Sequence, residues 1–190
     1  DIDKKLWQKR KVFALLSREI NDLHGKTLGI IGKGSIGMKV GRIAKAFGMN
    51  INYFSVRNYK KTQFLKFLSS LDYLSVHCPL NEKTKDLITI KELKIMKKNM
   101  ILINTARGGI VNENDLTKAL KQKIIAGAGI DVTTSEPPKK SHAYYSILNE
   151  ANFIWTPHTA WASNETLQEA INQLIKNINS FYKGRKRNIV

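Results

Sequence analysis

The most informative segment of the chain reads Thr27-Leu28-Gly29-Ile30-Ile31-Gly32-Lys33-Gly34-Ser35-Ile36-Gly37 and continues into Met38-Lys39-Val40-Gly41-Arg42-Ile43-Ala44. A short apolar run ends in a Gly-x-Gly-x-x-Gly turn, and a helix-like pattern begins at once. In a dinucleotide site, Gly32 would permit the tight turn and Gly34 would let the backbone approach a pyrophosphate. Gly37 would let the helix pack closely on its strand, with the helix N-terminus facing the phosphates. This order of strand, glycine turn and helix favours a nucleotide site.

Length and cysteine content indicate the number of domains and the cellular compartment. The 190 residues suit one domain with a substantial core. The chain begins at Asp1 within a helix-like pattern, so we expect it to be a piece of a longer protein. A single cysteine, Cys78, excludes an internal disulfide and predicts a cytoplasmic location. No apolar run approaches membrane-spanning length, so we expect no membrane partner.

The high positive charge of the chain is a feature that nucleic-acid-binding proteins often share. The formal net charge is +17, from 32 Lys and Arg against 15 Asp and Glu. The basic residues are scattered, however, and their densest runs lie at residues 4–11 and 183–187. No aromatic stacking platform or recognition helix accompanies them. We therefore interpret the charge as solvated surface and expect no nucleic-acid partner.

Apolar periodicity predicts alternating strands and helices. Buried-strand patterns occur at residues 28–31, 51–54, 73–77, 100–104, 125–131 and 153–155. Helical patterns run from the glycine turn to about residue 47, then over 64–68, 89–96 and 113–121, and along Leu167, Ile171, Leu174, Ile175 and Ile178. Apolar strands that alternate with helices predict a Rossmann-type α/β fold, a doubly wound parallel sheet in three α/β/α layers.

The first residues predict a separate element. Phe13, Leu16, Ile20 and Leu23 recur at helical spacing, and Gly25 is a plausible stop. We predict that residues 1–24 form a helix crossing from an N-terminal substrate domain outside this chain. Residues 25–190 would then be a dinucleotide-binding domain with its C-terminal helix.

Ligands of such folds bind beyond the carboxyl ends of the strands. The strands deliver six polar segments to that edge: residues 32–37, 55–57, 77–79, 105–108, Asp131 and 156–158. The candidate chemistry is therefore concentrated at one edge of the predicted sheet.

Six motifs together resemble the D-isomer-specific 2-hydroxyacid dehydrogenases, specifically their nucleotide-binding domain. They are Gly-Lys-Gly-Ser-Ile-Gly at 32–37, Val-His-Cys-Pro-Leu at 76–80, Asn-Thr-Ala-Arg-Gly-Gly at 104–109, Gly-Ile-Asp-Val at 129–132, Glu-Pro-Pro at 136–138 and Thr-Pro-His-Thr-Ala at 156–160. They follow the family's order across nearly the whole chain. The resemblance implies hydride transfer between a nicotinamide nucleotide and a small D-2-hydroxy or 2-keto acid.

The resemblance implies three catalytic residues. His158 would exchange a proton with the substrate hydroxyl, a task that suits histidine near neutral pH. Glu136 would orient the imidazole, and Arg107 would clamp the substrate carboxylate with its planar fork. Taken singly, His158 also fits a hydrogen-bonded loop residue, Glu136 a stiff turn, and Arg107 a residue that neutralises an acidic neighbour.

The resemblance also implies the residues that line the cofactor, with no metal site. They are Gly32, Lys33, Gly34, Ser35, Ile36, Gly37, Ser55, Arg57, His77, Cys78, Pro79, Thr84, Thr105, Ala106, Asp131, His158 and Ala160. Asp131 would hold the nicotinamide carboxamide, and Lys33 would either contact a phosphate or point to solvent. His77 and Cys78 would be wall residues without proton chemistry. We expect His24 and His142 at the surface.

One departure from the family pattern bears on the cofactor. The acidic residue expected about 20 positions after the glycines, where it would bind the ribose 2′-hydroxyl, is replaced by Ser55. Without that carboxylate a 2′-phosphate meets no repulsion, and Ser55 and Arg57 could hydrogen-bond it. We therefore predict that NADP(H) binds at least as well as NAD(H), with NAD(H) not excluded.

The resemblance leaves the substrate and the assembly open. Trp161-Ala162-Ser163 after the histidine motif is similar to the glycerate dehydrogenase and hydroxypyruvate reductase branch, so hydroxypyruvate or glyoxylate is the first choice of substrate. A non-catalytic nicotinamide-sensing scaffold or corepressor on the same fold is the alternative. The family also implies a homodimer, with the first helix and residues 139–149 as candidate contacts.

Overall fold

The computed structural model describes residues 2, 5–16, 20–57 and 60–189. Its strands are β1 (Thr27–Ile31), β2 (Asn50–Phe54), β3 (Tyr73–Val76), β4 (Ile101–Asn104), β5 (Gly127–Ile130) and β6 (Phe153–Trp155). Its α-helices are α1 (Leu6–Arg10), α2 (Ser35–Ala46), α3 (Lys61–Ser69), α4 (Ile90–Leu93), α5 (Glu113–Lys121) and α6 (Asn164–Tyr182). A 3-10 helix over Ala143–Ile147 was not predicted from the sequence.

The six strands form one parallel sheet in the order β2-β1-β3-β4-β5-β6. The Rossmann-type doubly wound fold predicted from the sequence is thereby confirmed. The strand order reverses at β1, so that β2 and β3 flank it on opposite sides. This reversal is the topological switch point, where ligands bind in doubly wound sheets.

Apolar side chains cover both faces of the sheet. On one face Leu28 and Ile30 of β1 pack with Ala44 of α2 and with Met49. Because successive strand residues point to opposite faces, Ile31 joins the larger core on the other face. That core includes apolar residues of α3, α4 and α5.

Two glycines let α2 lie directly on the sheet. A Cβ added to Gly37 would lie 2.2 Å from the Gly32 carbonyl oxygen, and one added to Gly41 would meet the Tyr53 hydroxyl. Gly32 itself adopts φ 104, a conformation that side-chain-bearing residues rarely take. The glycine turn thus fixes the start of α2 next to the carboxyl end of β1.

Side-chain caps explain where two of the helices begin. Thr89 and Glu92 form a reciprocal capping box at α4, and Asn112 caps α5 by accepting from the Asp115 amide. Helix α5 spans the predicted residues 113–121. Helix α4 ends at Leu93 instead of continuing to residue 96, because the Ile95 and Met96 amides bond to carbonyls three residues earlier.

The first residues differ from the helix predicted over residues 13–23. Residues 11–16 and 20–24 are not helical, and residues 17–19 lie outside the described part of the chain. Phe13, Leu16 and Ile20 are 98%, 81% and 83% exposed. Helices gain most of their stability from packing an apolar face, and these side chains have no core against them. The prediction of a helix at these positions was wrong for this structure.

Helix α6 presents a similar unpacked face. It is capped by Ser163, and none of its 19 residues, all within the described chain, is buried. Its apolar stripe includes Leu174 and Ile175, which are 58% and 51% exposed. Over the described residues, no helix is long and apolar enough to cross a membrane.

Candidate functional site

The sheet brings three predicted catalytic residues to one edge. Strands β4, β5 and β6 are neighbours and run parallel, so their carboxyl ends lie side by side. Arg107 follows β4, Glu136 follows β5, and His158 follows β6. Residues that are 51 positions apart in sequence therefore meet on adjacent loops.

His158 and Glu136 form a direct pair. The Nδ1 atom of His158 lies 2.6 Å from Glu136 Oε2, and the other carboxylate oxygen accepts from the Thr133 amide at 3.0 Å. Burial acts to raise the pKa of Glu136, but the Thr133 amide, His158 and the charge of Arg107 together lower it. The ionised carboxylate only accepts hydrogen bonds, so Nδ1 of His158 carries the hydrogen. This leaves Nε2 available for proton exchange.

Asp131 holds the loop that carries His158. Its carboxylate accepts from the Thr156 hydroxyl and from the amides of Thr159 and Ala160, the last two at 2.9 Å. Burial opposes ionisation of Asp131, yet these hydrogen bonds prevail and lower its pKa. The backbone of His158 has φ 54, an uncommon conformation for a residue with a side chain. Asp131 thus fixes a strained turn on either side of the imidazole.

Arg107 extends from a turn held by Asn104. The Asn104 side chain accepts from the Ala106 amide and donates to the Arg107 carbonyl, both at 3.0 Å. The exposed guanidinium donates to the Ala106 carbonyl at 2.6 Å. Its charge contributes to the lowered pKa of Glu136. The three predicted catalytic side chains therefore share one electrostatic neighbourhood.

A cavity of about 490 Å³ adjoins this pair. Its polar wall consists of Asp131, Thr133, Glu136, Thr156 and His158. Its apolar wall is formed by Pro137, Pro138, Tyr145, Trp155 and Pro157. An imidazole and a carboxylate thus border a partly apolar space, where charge interactions are stronger than in open water.

A larger cavity of about 1050 Å³ lies at the topological switch point. It is lined by eight of the predicted cofactor residues: Gly32, Lys33, Gly34, Ser55, Arg57, His77, Cys78 and Pro79. Val56, Asn81, Glu82 and Lys83 complete the lining. None of them was predicted as a contact: Val56 is the apolar residue between Ser55 and Arg57, and the sequence marks residues 80–84 only as a loop. The cavity therefore lies where the strand order predicts a nucleotide.

The N-terminus of α2 suits an anionic group. Gly34 is the N-cap and has no side chain with which to satisfy the first helical amides. A Cβ added to Gly34 would meet no described atom within 4 Å, so the space beside the turn is open. Free amides, an open approach and the positive helix end fit a nucleotide pyrophosphate.

Other predicted cofactor residues occupy different positions. Ser35 and Ile36 are exposed in the first turn of α2, whereas Gly37 is buried against Gly32. Thr105 is exposed beside Ala106 in the turn held by Asn104. The Ala160 amide is bonded to Asp131.

Thr84 differs from a lining residue. Its side chain is fully buried, donates to the Pro79 carbonyl at 2.7 Å and accepts from the Asn81 amide at 2.8 Å. A hydroxyl bonded in this way has no surface for a ligand. Thr84 holds the turn at residues 79–84 in shape, and this corrects its prediction as a contact residue.

The wall residues His77 and Cys78 are in low-polarity surroundings. Burial lowers the pKa of His77, whose Nε2 lies 2.8 Å from the Ser75 hydroxyl. Burial also raises the pKa of the Cys78 thiol to about 11. Neither side chain is poised to be ionised at neutral pH. Lys33, by contrast, places its ammonium 5.4 Å from the centre of the Tyr53 ring at the rim of the cavity.

His142 was predicted at the surface, and this was wrong. Its side chain is 9% exposed, and its Nε2 lies 2.8 Å from Glu113 Oε2. The ring also stacks on Trp155 with centroids 5.5 Å apart. No local sequence pattern indicates this pair, because Glu113 and His142 lie in different elements.

Comparisons with known proteins give similarities over most of the chain. The family model described as "D-isomer specific 2-hydroxyacid dehydrogenase, NAD binding domain" matches residues 2–160. Glycerate dehydrogenase of Methylorubrum extorquens is 43% identical over 188 residues, which cover 97% of this chain and 59% of that protein. Glyoxylate reductase of Thermococcus litoralis is 40% identical over 173 residues, covering 85% of this chain and 50% of that protein.

The comparison with solved structures concerns the fold. The NAD-complexed form of a D-isomer specific 2-hydroxyacid dehydrogenase from Lactobacillus delbrueckii ssp. bulgaricus superposes with a TM-score of 0.83. The two are 29% identical, and the match covers 98% of this chain and 63% of that one. The chain therefore spans roughly half to two thirds of the length of these relatives.

Proposed function

The chain belongs to the D-isomer specific 2-hydroxyacid dehydrogenases, and on that premise we propose that it is the nucleotide-binding part of an oxidoreductase. The reaction would move a hydride between NAD(P)(H) and a small D-2-hydroxy acid or its 2-keto acid. The observation that carries this proposal is the 2.6 Å pair of His158 and Glu136, near Arg107 and bordering a cavity.

The nicotinamide nucleotide supplies the hydride donor or acceptor when bound. In the direction of reduction, Nε2 of His158 would donate a proton to the keto oxygen while carbon 2 receives the hydride. In oxidation the same nitrogen would take the hydroxyl proton. The Glu136 carboxylate would hold Nδ1–H and stabilise the imidazolium, which is the role of the carboxylate in other histidine-carboxylate pairs.

Arg107 would supply the substrate contact. A guanidinium fork binds a carboxylate through two parallel hydrogen bonds, which fixes the orientation of carbon 2 as well as its distance. The exposed position of Arg107 leaves its remaining donors accessible. Asp131 would contribute mainly by holding the 156–160 loop, since its oxygens already accept three hydrogen bonds.

We propose that the switch-point cavity binds NADP(H) at least as well as NAD(H). Three cationic side chains, Lys33, Arg57 and Lys83, line it against one carboxylate, that of Glu82. Ser55 stands at the end of β2 where a carboxylate would repel a 2′-phosphate. This arrangement favours the additional phosphate.

A fluorescence titration of the chain with NADPH and NADH tests the cofactor proposal. We expect Ser55→Asp to weaken NADPH binding by about tenfold or more, since a like charge next to a phosphate costs on the order of 1 kcal/mol or more. Ser69→Asp, exposed at the far end of α3, is the charge-matched control. Clear preference of the unaltered chain for NADH would refute the proposal.

The substrate proposal rests on relatives and on one local motif. The relatives described above include a glycerate dehydrogenase and a glyoxylate reductase, and a hydroxypyruvate reductase of Blautia hydrogenotrophica is 31% identical over 192 residues. The Trp161-Ala162-Ser163 segment agrees with this branch. We propose glycerate with hydroxypyruvate, or glyoxylate, as the substrate class, in the cytoplasm.

We further propose a substrate domain N-terminal to this chain and a homodimer. Apolar residues of the first segment, Phe13 and Leu16, are exposed, as are Tyr145 and Leu148 of the 139–149 region. Covering these residues would stabilise an assembly of two copies. Light scattering of the full-length protein tests this: a mass of two chains is expected, and a monomer at micromolar concentration would contradict it.

The competing proposal is a non-catalytic nucleotide sensor on the same fold. A sensor does not need a histidine held by a carboxylate beside an arginine. Spectrophotometric assay of the full-length protein with hydroxypyruvate and glyoxylate, using NADH and NADPH, separates the two. Turnover supports the enzyme, whereas normal cofactor binding without turnover of any 2-keto acid favours the sensor.

A further inference from the structure

Glu113 has no role in the proposed reaction, yet its carboxylate accepts several hydrogen bonds. It lies in the first turn of α5, and its side chain is 11% exposed. One oxygen accepts from the Thr134 amide at 2.7 Å, and the other accepts from the Thr134 hydroxyl and from His142, both at 2.8 Å. Three donors thus converge on one carboxylate at the back of the candidate site.

The first link runs to the loop that carries Glu136. The consecutive amides of Thr133 and Thr134 bind two different carboxylates: Thr133 donates to Glu136, and Thr134 donates to Glu113. The Thr134 amide belongs to the peptide plane that joins Thr133 to Thr134, so its hydrogen bond to Glu113 anchors the carbonyl side of Thr133. Only φ and ψ of Thr133 separate this anchored plane from the Thr133 amide. Glu113 therefore restricts the loop at the residue next to the amide that donates to the Glu136 carboxylate.

The second link runs to the loop that carries His158. His142 accepts the Tyr144 amide at Nδ1 and so presents Nε2–H to Glu113. The same imidazole stacks on Trp155, which lies three residues before His158 and lines the cavity beside it. One carboxylate is thus connected to both halves of the His158–Glu136 pair.

We propose that Glu113 is a positioning residue: together with Thr134 and His142 it aligns Glu136 with His158 and so holds the His158 ring in its Nδ1–H tautomer. The inference rests on the proposed function only in one respect: that function is the reason why an aligned His158–Glu136 pair would matter. The hydrogen bonds and the tautomer themselves can be measured in the chain without any ligand. The charged groups that act on the pair are Arg107 and Asp131. Among the described residues, the hydrogen-bond partners of the Glu113 carboxylate are Thr134 and His142.

Tautomers are measurable directly from histidine ¹⁵N chemical shifts in long-range ¹H–¹⁵N spectra of the chain. At a pH where the rings are neutral, we expect His158 as the Nδ1–H form and His142 as the opposite, Nε2–H form. A charge-assisted hydrogen bond should favour the Nδ1–H form of His158 by about tenfold or more over the alternative.

Glu113→Gln is the principal variant. An amide has one acceptor oxygen and two hydrogens, so it does not accept from all three donors. We expect the ratio of the Nδ1–H to the Nε2–H form of His158 to fall by at least about threefold. The variant would thus lose only part of the tenfold preference. Glu165→Gln, an exposed first-turn glutamate of α6, is the matched control and should leave the ratio unchanged.

Thr134→Val is the second variant. It removes one of the three donors and keeps the amide bond, so a smaller shift in the same direction is expected. A folded Glu113→Gln chain with an unchanged His158 ratio would overturn the proposal. If Glu113→Gln does not fold, Thr134→Val decides: a shifted ratio supports the proposal and an unchanged one overturns it. Failure of turnover in the enzyme assay would refute the proposed function, and the tautomer result would stand apart from it.

Discussion

Gly108→Ala is a sensitive test of how closely the site loops must approach. Gly108 follows Arg107, and a Cβ placed on it would lie 2.0 Å from the Thr133 carbonyl carbon, 2.2 Å from its oxygen and 2.3 Å from the Thr134 nitrogen. These atoms are backbone, so they do not swing aside as a flexible side chain would. The loop carrying Arg107 and the loop carrying Glu136 are therefore in contact through a position that only glycine fits.

The size of the effect follows from these distances. Ordinary contact begins at 3.4 Å, so the two loops must separate by about 1.4 Å, the difference between 3.4 Å and 2.0 Å. A displacement of about 1 Å at a reacting centre can cost about 100-fold in rate. Inserting a methyl group into a packed position costs about 1–3 kcal/mol of stability.

Two quantities are measured for the variant and for the unaltered protein: kcat of the full-length enzyme, and the free energy of unfolding of the chain in urea. We expect kcat of Gly108→Ala to fall by about 100-fold. Gly129→Ala is the control, because no described atom lies within 4 Å of its added Cβ, and its kcat should stay within about twofold. A Gly108→Ala enzyme with kcat within threefold of the unaltered protein would refute the reasoning.

Three further predictions concern individual groups. Asp131→Asn should lower the unfolding free energy by about 2–3 kcal/mol, because charge-assisted hydrogen bonds to the 156–160 loop are lost; a loss below 0.5 kcal/mol in urea titrations would contradict this. Thr84→Val should cost about 1–3 kcal/mol by leaving the Asn81 amide without its acceptor, and unchanged urea midpoint and slope would argue against it. The pKa values of Asp131 and Glu136 are lowered by folding, so the stability they contribute is present above the ordinary values of 3.8 and 4.5 and is lost as the pH falls through the folded values. Folding also lowers the pKa of His77 from its ordinary value of 6.5, so unfolding free energies should begin to decline as the pH falls below about 6.5 and decline further below about 4; a rise on acidification would refute the assignment.

The sheet was predictable because its strands are short and buried, and because turns and helix caps that separate them are recognisable in the sequence. The glycine turn after β1, the Thr89 cap and the run of residues 113–121 each carry a local signal that matches the final structure. The helix predicted over residues 13–23 failed because periodicity alone does not supply a packing partner. The 3-10 helix over Ala143–Ile147 was missed since it depends on tertiary packing of Tyr144 against Phe153 and Trp155.

The candidate site was predictable only where it depends on strand ends. Arg107, Glu136 and His158 follow adjacent strands, so a correct sheet places them together. The support behind them was not predictable. The Glu113 carboxylate binds Thr134 and His142 from 21 and 29 residues away, and no local pattern marks such partners. Long-range hydrogen bonds between loops are settled by the fold as a whole.

The most direct test of the central claim is the rate of 2-keto acid reduction by the full-length protein with His158 replaced by alanine. Cofactor affinity, measured by fluorescence titration of the same variant, is the internal control. If His158 exchanges the substrate proton, kcat should fall by about 10²–10⁴-fold, the range of general acid-base catalysis, whereas cofactor affinity should fall by much less, because His158 is only one of many side chains that would line the cofactor. An unchanged kcat in His158→Ala would contradict the account.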